Sequence, residues 1–191
     1  MWLAAVSGRS LFLAEITSPL TLAVLAVVLL PVLGYYFIAA RSGSERALAR
    51  ARLGLAVAVL ALVVLVGVNY YTLQPGRTYG LELVDGRVVL HYYEERSASY
   101  NLCNLTVRLV GLDEARGMLG VRTYGTSDPT TGLSAGEFKL TDGRNAHVLI
   151  APGAGKALII EEPGKPTAIV AVPGVEEAYT AILQARGESC G

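Results

Sequence analysis

Between residues 17 and 73 the alternation of apolar and polar positions disappears. The only charges there are the five from Arg41 to Arg52, flanked by uncharged blocks rich in Leu, Val and Ala. Residues 20–40 and 53–73 as helices each reach roughly 31 Å, enough to cross the hydrocarbon core of a bilayer. A core helix of a soluble protein rarely stays apolar on every face for that length. The pattern predicts transmembrane helices over residues 19–40 and 53–73, a basic connector over 41–52 and a short N-terminal segment over 1–18. Pro31 falls inside the first helix, where a bilayer tolerates the kink. Tyr35, Tyr36 and Phe37 mark one interface, and Asn69, Tyr70 and Tyr71 the other. Gly54 and Ala58 form a small-residue pair that lets two helices approach. A cleaved signal peptide competes for the first block, but the block is long, Glu15 precedes it and arginines follow it. An uncleaved span is the better reading.

After Gln74-Pro75-Gly76 the period shortens to two. Residues 78–84 and 87–94 are strand-like runs divided by Asp85-Gly86, a strong hairpin signal. Further strands are expected over 102–110, 120–124, 137–140, 146–150, 157–161 and 168–172. Turns fall at Asp142-Gly143, Pro152-Gly153 and Pro163-Gly164. The period then lengthens again: Val175, Ala178, Tyr179, Ile182 and Leu183 share one face of a helix opened by Pro173-Gly174. Residues 77–187 thus read as one β-rich domain with a C-terminal helix, leaving 188–191 as a tail.

Charge changes the picture in two places. From Pro75 on there are 11 basic and 14 acidic residues, net −3, with no basic run. That excludes a nucleic-acid face, which needs cations against phosphates. The connector carries Arg41, Arg46, Arg50 and Arg52 against Glu45. The positive-inside rule then puts it in the cytoplasm and the domain outside, in a two-pass cell-membrane protein. Cys103 and Cys190, the only cysteines, are compatible with one disulfide in an oxidising compartment. Asn104-Leu105-Thr106 is an acceptor sequon for N-glycosylation in an organism that glycosylates there.

The run RTYGTSDPTTGLSAGEFKLTDGRNAHVLI resembles the signature of bacterial pleckstrin-homology-like (PH-like) domains, through Arg122, Thr123, Gly125, Pro129, Gly132, Gly136, Phe138 and Gly143. The ending ALIIEEPGKPTAIVAVPGVEEAYTAIL resembles the last hairpin and helix of that family. The sequence departs from the family at residues 128–131, where a Pro-Gly-aromatic turn is usual. The resemblance implies an α+β membrane protein: a two-helix transmembrane hairpin, then a PH-like β-barrel or sandwich with one C-terminal helix. It assigns structural roles to Arg122, Gly125, Gly136, Phe138 and Gly143, and it implies a binding scaffold.

Chemistry is sparse. His91 and His147 sit in separate expected strands, without the ligand spacing of a metal site, and read as solvated. Pro152-Gly153-Ala154-Gly155-Lys156-Ala157 lacks the glycine spacing and the Ser or Thr of a phosphate loop and reads as a hairpin turn. Ser127-Asp128 and His147 are the nearest approach to a nucleophile and base, with nothing to fix their geometry. The pairs Glu94-Glu95, Glu161-Glu162 and Glu176-Glu177 read as solvated charge. Arg122, with Lys139 and Arg144 near it, suits an anionic contact. The better reading is that its guanidinium bonds loop carbonyls and holds the connection from Gly125 to Gly136. The expectation is a non-enzymatic module with no cofactor, partnered by the bilayer and by a protein or a second copy. The alternative is a sensor or accessory subunit binding a small or envelope ligand.

Overall fold

The structure, a computed structural model, describes residues 1–190. Its elements are β1 (Trp2–Ser7), α1 (Gly8–Ile16), α2 (Pro19–Arg41), α3 (Glu45–Leu73), β2 (Thr78–Val84), β3 (Arg87–Tyr93), β4 (Arg96–Asn101), β5 (Thr106–Gly111), α4 (Leu112–Gly117), β6 (Leu119–Asp128), β7 (Leu133–Leu140), β8 (Asn145–Ile150), β9 (Lys156–Glu161), β10 (Thr167–Ala171) and α5 (Val175–Cys190).

Ser18 caps α2 by accepting the Thr21 N–H at 3.1 Å, with Pro19 at the first helical position. Ser44 caps α3 in the same way. Helix α3 begins inside the expected connector, because ALARAR is a strong helix former. Only Ser42, Gly43 and Ser44 separate the two helices. Both helices are long and apolar enough to span a membrane, and only 6% and 11% of their most apolar stretches is buried by protein. Their buried small residues are Ala39, Ala51 and Ala58, whereas Gly54 faces nothing within 4 Å. A soluble core helix would be covered by protein. These two leave Leu30, Phe37, Leu60 and Val63, among others, facing outward.

The N-terminal segment is part of the folded domain. β1 pairs antiparallel with β2, Ala5 opposite Gly80 and Ser7 opposite Thr78. Since β1 precedes α2 and β2 follows α3, both ends of the helical hairpin emerge on one side. The order of the first sheet is β1-β2-β3-β4, and of the second β5-β9-β10-β8-β7-β6. The two sheets share a core built from Leu81, Leu90, Tyr100, Leu149, Leu158 and Val170, among others. A second core of Phe138, Val148, Ile169 and Ala115 lies on the other face of the six-stranded sheet, under α4. With both faces covered, β10 is buried along its whole length. Helix α5 contacts β1, β5 and β9, and so closes the gap between the edges of the two sheets.

Several expectations need correction. No barrel closes: β1, β4, β5 and β6 are all edge strands. The turn at 152–155 is not a hairpin, because β10 inserts between β8 and β9 and pairs parallel with β8. β4 went unpredicted, since RSASYN has no apolar alternation and is held by backbone pairing to β3. In β3 a bulge after His91 breaks strict alternation, so that both Tyr92 and Tyr93 are buried.

Candidate functional site

Two regions gather polar chemistry. The first is the joint between the helical hairpin and the domain. It depends on glycines: a Cβ at Gly8 would stand 2.4 Å from the Gln74 carbonyl oxygen, and one at Gly80 would stand 2.1 Å from that of Ala4. Phe12 packs edge-on against Tyr70, with ring centroids 5.9 Å apart. Against the corner between α1 and α2 lies the tip of the β6–β7 hairpin. Its Asp128 is 4% exposed and accepts from the Thr130 amide at 2.7 Å and the Thr130 hydroxyl at 2.6 Å. Burial alone would raise the Asp128 carboxyl, but hydrogen bonds from Thr130, seconded by Thr131, outweigh it and hold the group below the usual carboxylate range. Glu15 of α1 is the opposite case. Burial first and the Asp128 charge second push it up, against a hydrogen bond from Thr126 and the attraction of Arg122.

The hairpin explains two of the signature glycines. Gly125 and Gly136 face each other in register at φ +112° and +135°. A Cβ on either would stand 2.1 Å from a carbonyl oxygen of the other strand. Phe138 fills the second core, and Gly143 turns at φ +89°. Arg122 does not hold the connection, which is itself strand on both sides of a short turn. The guanidinium that does so is that of Arg116, donating to Gly132 O at 3.1 Å. Arg144 does not join Arg122 either. It pairs with Asp142 and Glu161, both at 2.7 Å.

The second region lies where the sheets splay. Tyr92 stacks on His147 with centroids 4.8 Å apart and donates to Glu137 at 3.3 Å, while Arg96 donates to Glu137 at 2.7 Å. The single Tyr100 hydroxyl proton goes to Pro166 O at 3.0 Å. His147 Nδ1, 3.3 Å from the same hydroxyl, must then carry a proton and donate, leaving Nε2 with its lone pair. Burial lowers the His147 pKa and favours the neutral ring. His147 is therefore no solvated strand residue, whereas His91 keeps 34% of its side chain exposed while lying 3.3 Å from Glu82 and against Trp2. The cleft beside His147 is about 190 Å³, lined by Thr123, Glu137 and Asn145, smaller than a typical ligand pocket. Tyr100→Phe should cost about 1 to 2 kcal/mol in urea unfolding, because it strands a carbonyl and an imidazole N–H.

Among the described residues no group of three or more His, Cys, Asp or Glu is placed to hold a metal. Ser127 meets Ser134 at 3.0 Å rather than a base. No family model, curated protein or solved structure matches the chain. The glutamate pairs are largely engaged: Glu94 accepts from Tyr124, Glu95 from Arg77, Glu162 from the Asn101 amide, and Glu176 pairs with Lys156. Cys103 and Cys190 are bonded with Cα atoms 5.4 Å apart, tying the end of α5 to the loop after β4. Asn104, beside that bond, is exposed.

Proposed function

We propose that the chain is a membrane-anchored, non-enzymatic interaction module whose β-domain lies outside the cytoplasm. The observation that carries this reading is the pairing of β1 with β2. The domain is stitched to both ends of the helical hairpin, which holds it at a fixed height and orientation beside the bilayer. That suits presentation of a surface better than a flexible tether would. Arg41, Arg46, Arg50 and Arg52 at the far end of the hairpin support the orientation, as do the Cys103–Cys190 bond and the exposed Asn104. The PH-like resemblance adds an analogy to binding scaffolds and no more.

The surface best suited to a protein partner or a second copy is the outer edge of β6. Its backbone is unpaired on that side, residues 120–123 are exposed, and Val121 is 71% exposed. Such an edge accepts an added strand. A photoreactive residue in place of Val121, activated in native membranes, should yield a discrete adduct with a protein or with a second copy. Adducts with lipid alone, or none, would contradict the reading.

A further inference from the structure

We propose that the contact between the β6–β7 tip and the α1–α2 corner is a proton-operated latch, closed when Glu15 carries a proton and loosened when it is ionised. Glu15 sits at the end of α1, two residues before the linkage into the first apolar helix. One of its carboxyl oxygens, Oε2, is buried without a hydrogen-bond partner. A charged carboxylate with an unsatisfied buried oxygen destabilises whatever contact buries it, and protonation removes most of that cost.

The surroundings sharpen the effect. The ionisable groups acting on Glu15 are Asp128 and Arg122, both on β6. Asp128 keeps its charge through the two bonds from Thr130, so an ionised Glu15 adds a second negative charge beside it. Ser18, the cap of α2, is 1% exposed. Thr21 donates to the Glu15 backbone oxygen at 3.0 Å, which ties the foot of α2 to α1. From β7, Ser134 is occupied with Ser127. Gly125 and Gly136 let β6 and β7 close tightly below the tip, and the Tyr124 hydroxyl there donates to Glu94 in the turn between β3 and β4.

The direction follows from linkage. With its docked pKa raised, Glu15 favours the closed latch below its ordinary value of 4.5, and this support is lost as pH rises through the docked value. Asp128, lowered, favours closure above its ordinary value of 3.8 and loses that only in stronger acid. The latch is thus tightest in mild acid.

Hydrogen–deuterium exchange of the full-length protein in lipid nanodiscs, corrected for the intrinsic pH dependence of exchange, reads this directly. Protection of residues 126–134 should rise severalfold between about pH 7.5 and about pH 4.5, the ordinary value for Glu15. Glu15→Gln should give the high protection at both pH values. Arg122→Gln, an exposed change that leaves folding intact, should move the transition to higher pH by removing the opposing cation. Equal protection at both pH values in the unsubstituted protein would overturn the proposal. So would a pH response that survives Glu15→Gln or is unmoved by Arg122→Gln.

Discussion

Gly80→Val is expected to strip β1 from its sheet and to lower the stability of the β-domain by on the order of 3 kcal/mol. Gly80 has φ +144°, a region closed to a β-branched residue. Any Cβ there would also stand 2.1 Å from the Ala4 oxygen and 2.7 Å from the Ala5 Cα, both backbone atoms that cannot swing aside. Displacing β1 uncovers Tyr79 and Leu81, which are 2% and 0% exposed, and removes a strand that α5 rests on. Denaturant unfolding should show the lowered midpoint, and hydrogen exchange should show residues 2–7 becoming fast. Gly76→Val is the control, because nothing lies within 4 Å of its Cβ position. An unchanged midpoint for Gly80→Val would mean that β1 is no integral part of the domain.

Replacing both cysteines by serine is expected to cost about 4 kcal/mol. The bond closes a separation of 87 residues, and loop entropy in the unfolded chain grows with that length. The local effect should centre on the end of α5. Beyond Ile182, which is fully buried, the helix offers the core only partly buried side chains such as Ala185, and Leu183 is 42% exposed. Amides after residue 183 should exchange far faster in the double variant, while those of β8 and β10 keep their protection. Identical unfolding midpoints under oxidising and reducing conditions would show that the bond contributes nothing.

Where burial sets a clean period, the sequence reading succeeded. The two apolar helices, β2, β8, β9 and α5 follow from runs whose one-sided or complete apolarity leaves little choice. It failed where another part of the chain supplies the order. WLAAVS becomes a strand only because Gly80, 75 residues beyond its partner Ala5, opens room for it. RSASYN becomes β4 because β3 offers a backbone edge. LDEARG becomes a helix through Ala115, wholly buried in the second core. The insertion of β10 between β8 and β9 leaves no local trace, since both faces of the sheet are covered and the strands are uniformly apolar. In the candidate sites, Gly125 and Gly136 were singled out by resemblance, and their physical reason appeared only in their mutual approach. His147 looked solvated because its cover, Tyr92 and Tyr100, comes from the other sheet. Glu15 reads in the sequence only as a charge arguing against a signal peptide; the groups that distinguish it come from the distant β6–β7 hairpin.

In the proposed arrangement α2 and α3 cross a membrane as a hairpin, with the N-terminal strand and the β-domain together outside the cytoplasm. Because the native cysteines are bonded to each other, single new cysteines can be read with a membrane-impermeant thiol reagent in intact cells. Arg9→Cys, beside β1, and Lys139→Cys, on β7, should both label without permeabilisation, whereas Ser42→Cys, between α2 and α3, should label only after it. Labelling of Ser42→Cys in intact cells with the other two protected would reverse the orientation, and different outcomes at Arg9→Cys and Lys139→Cys would contradict the shared sheet on which the account rests.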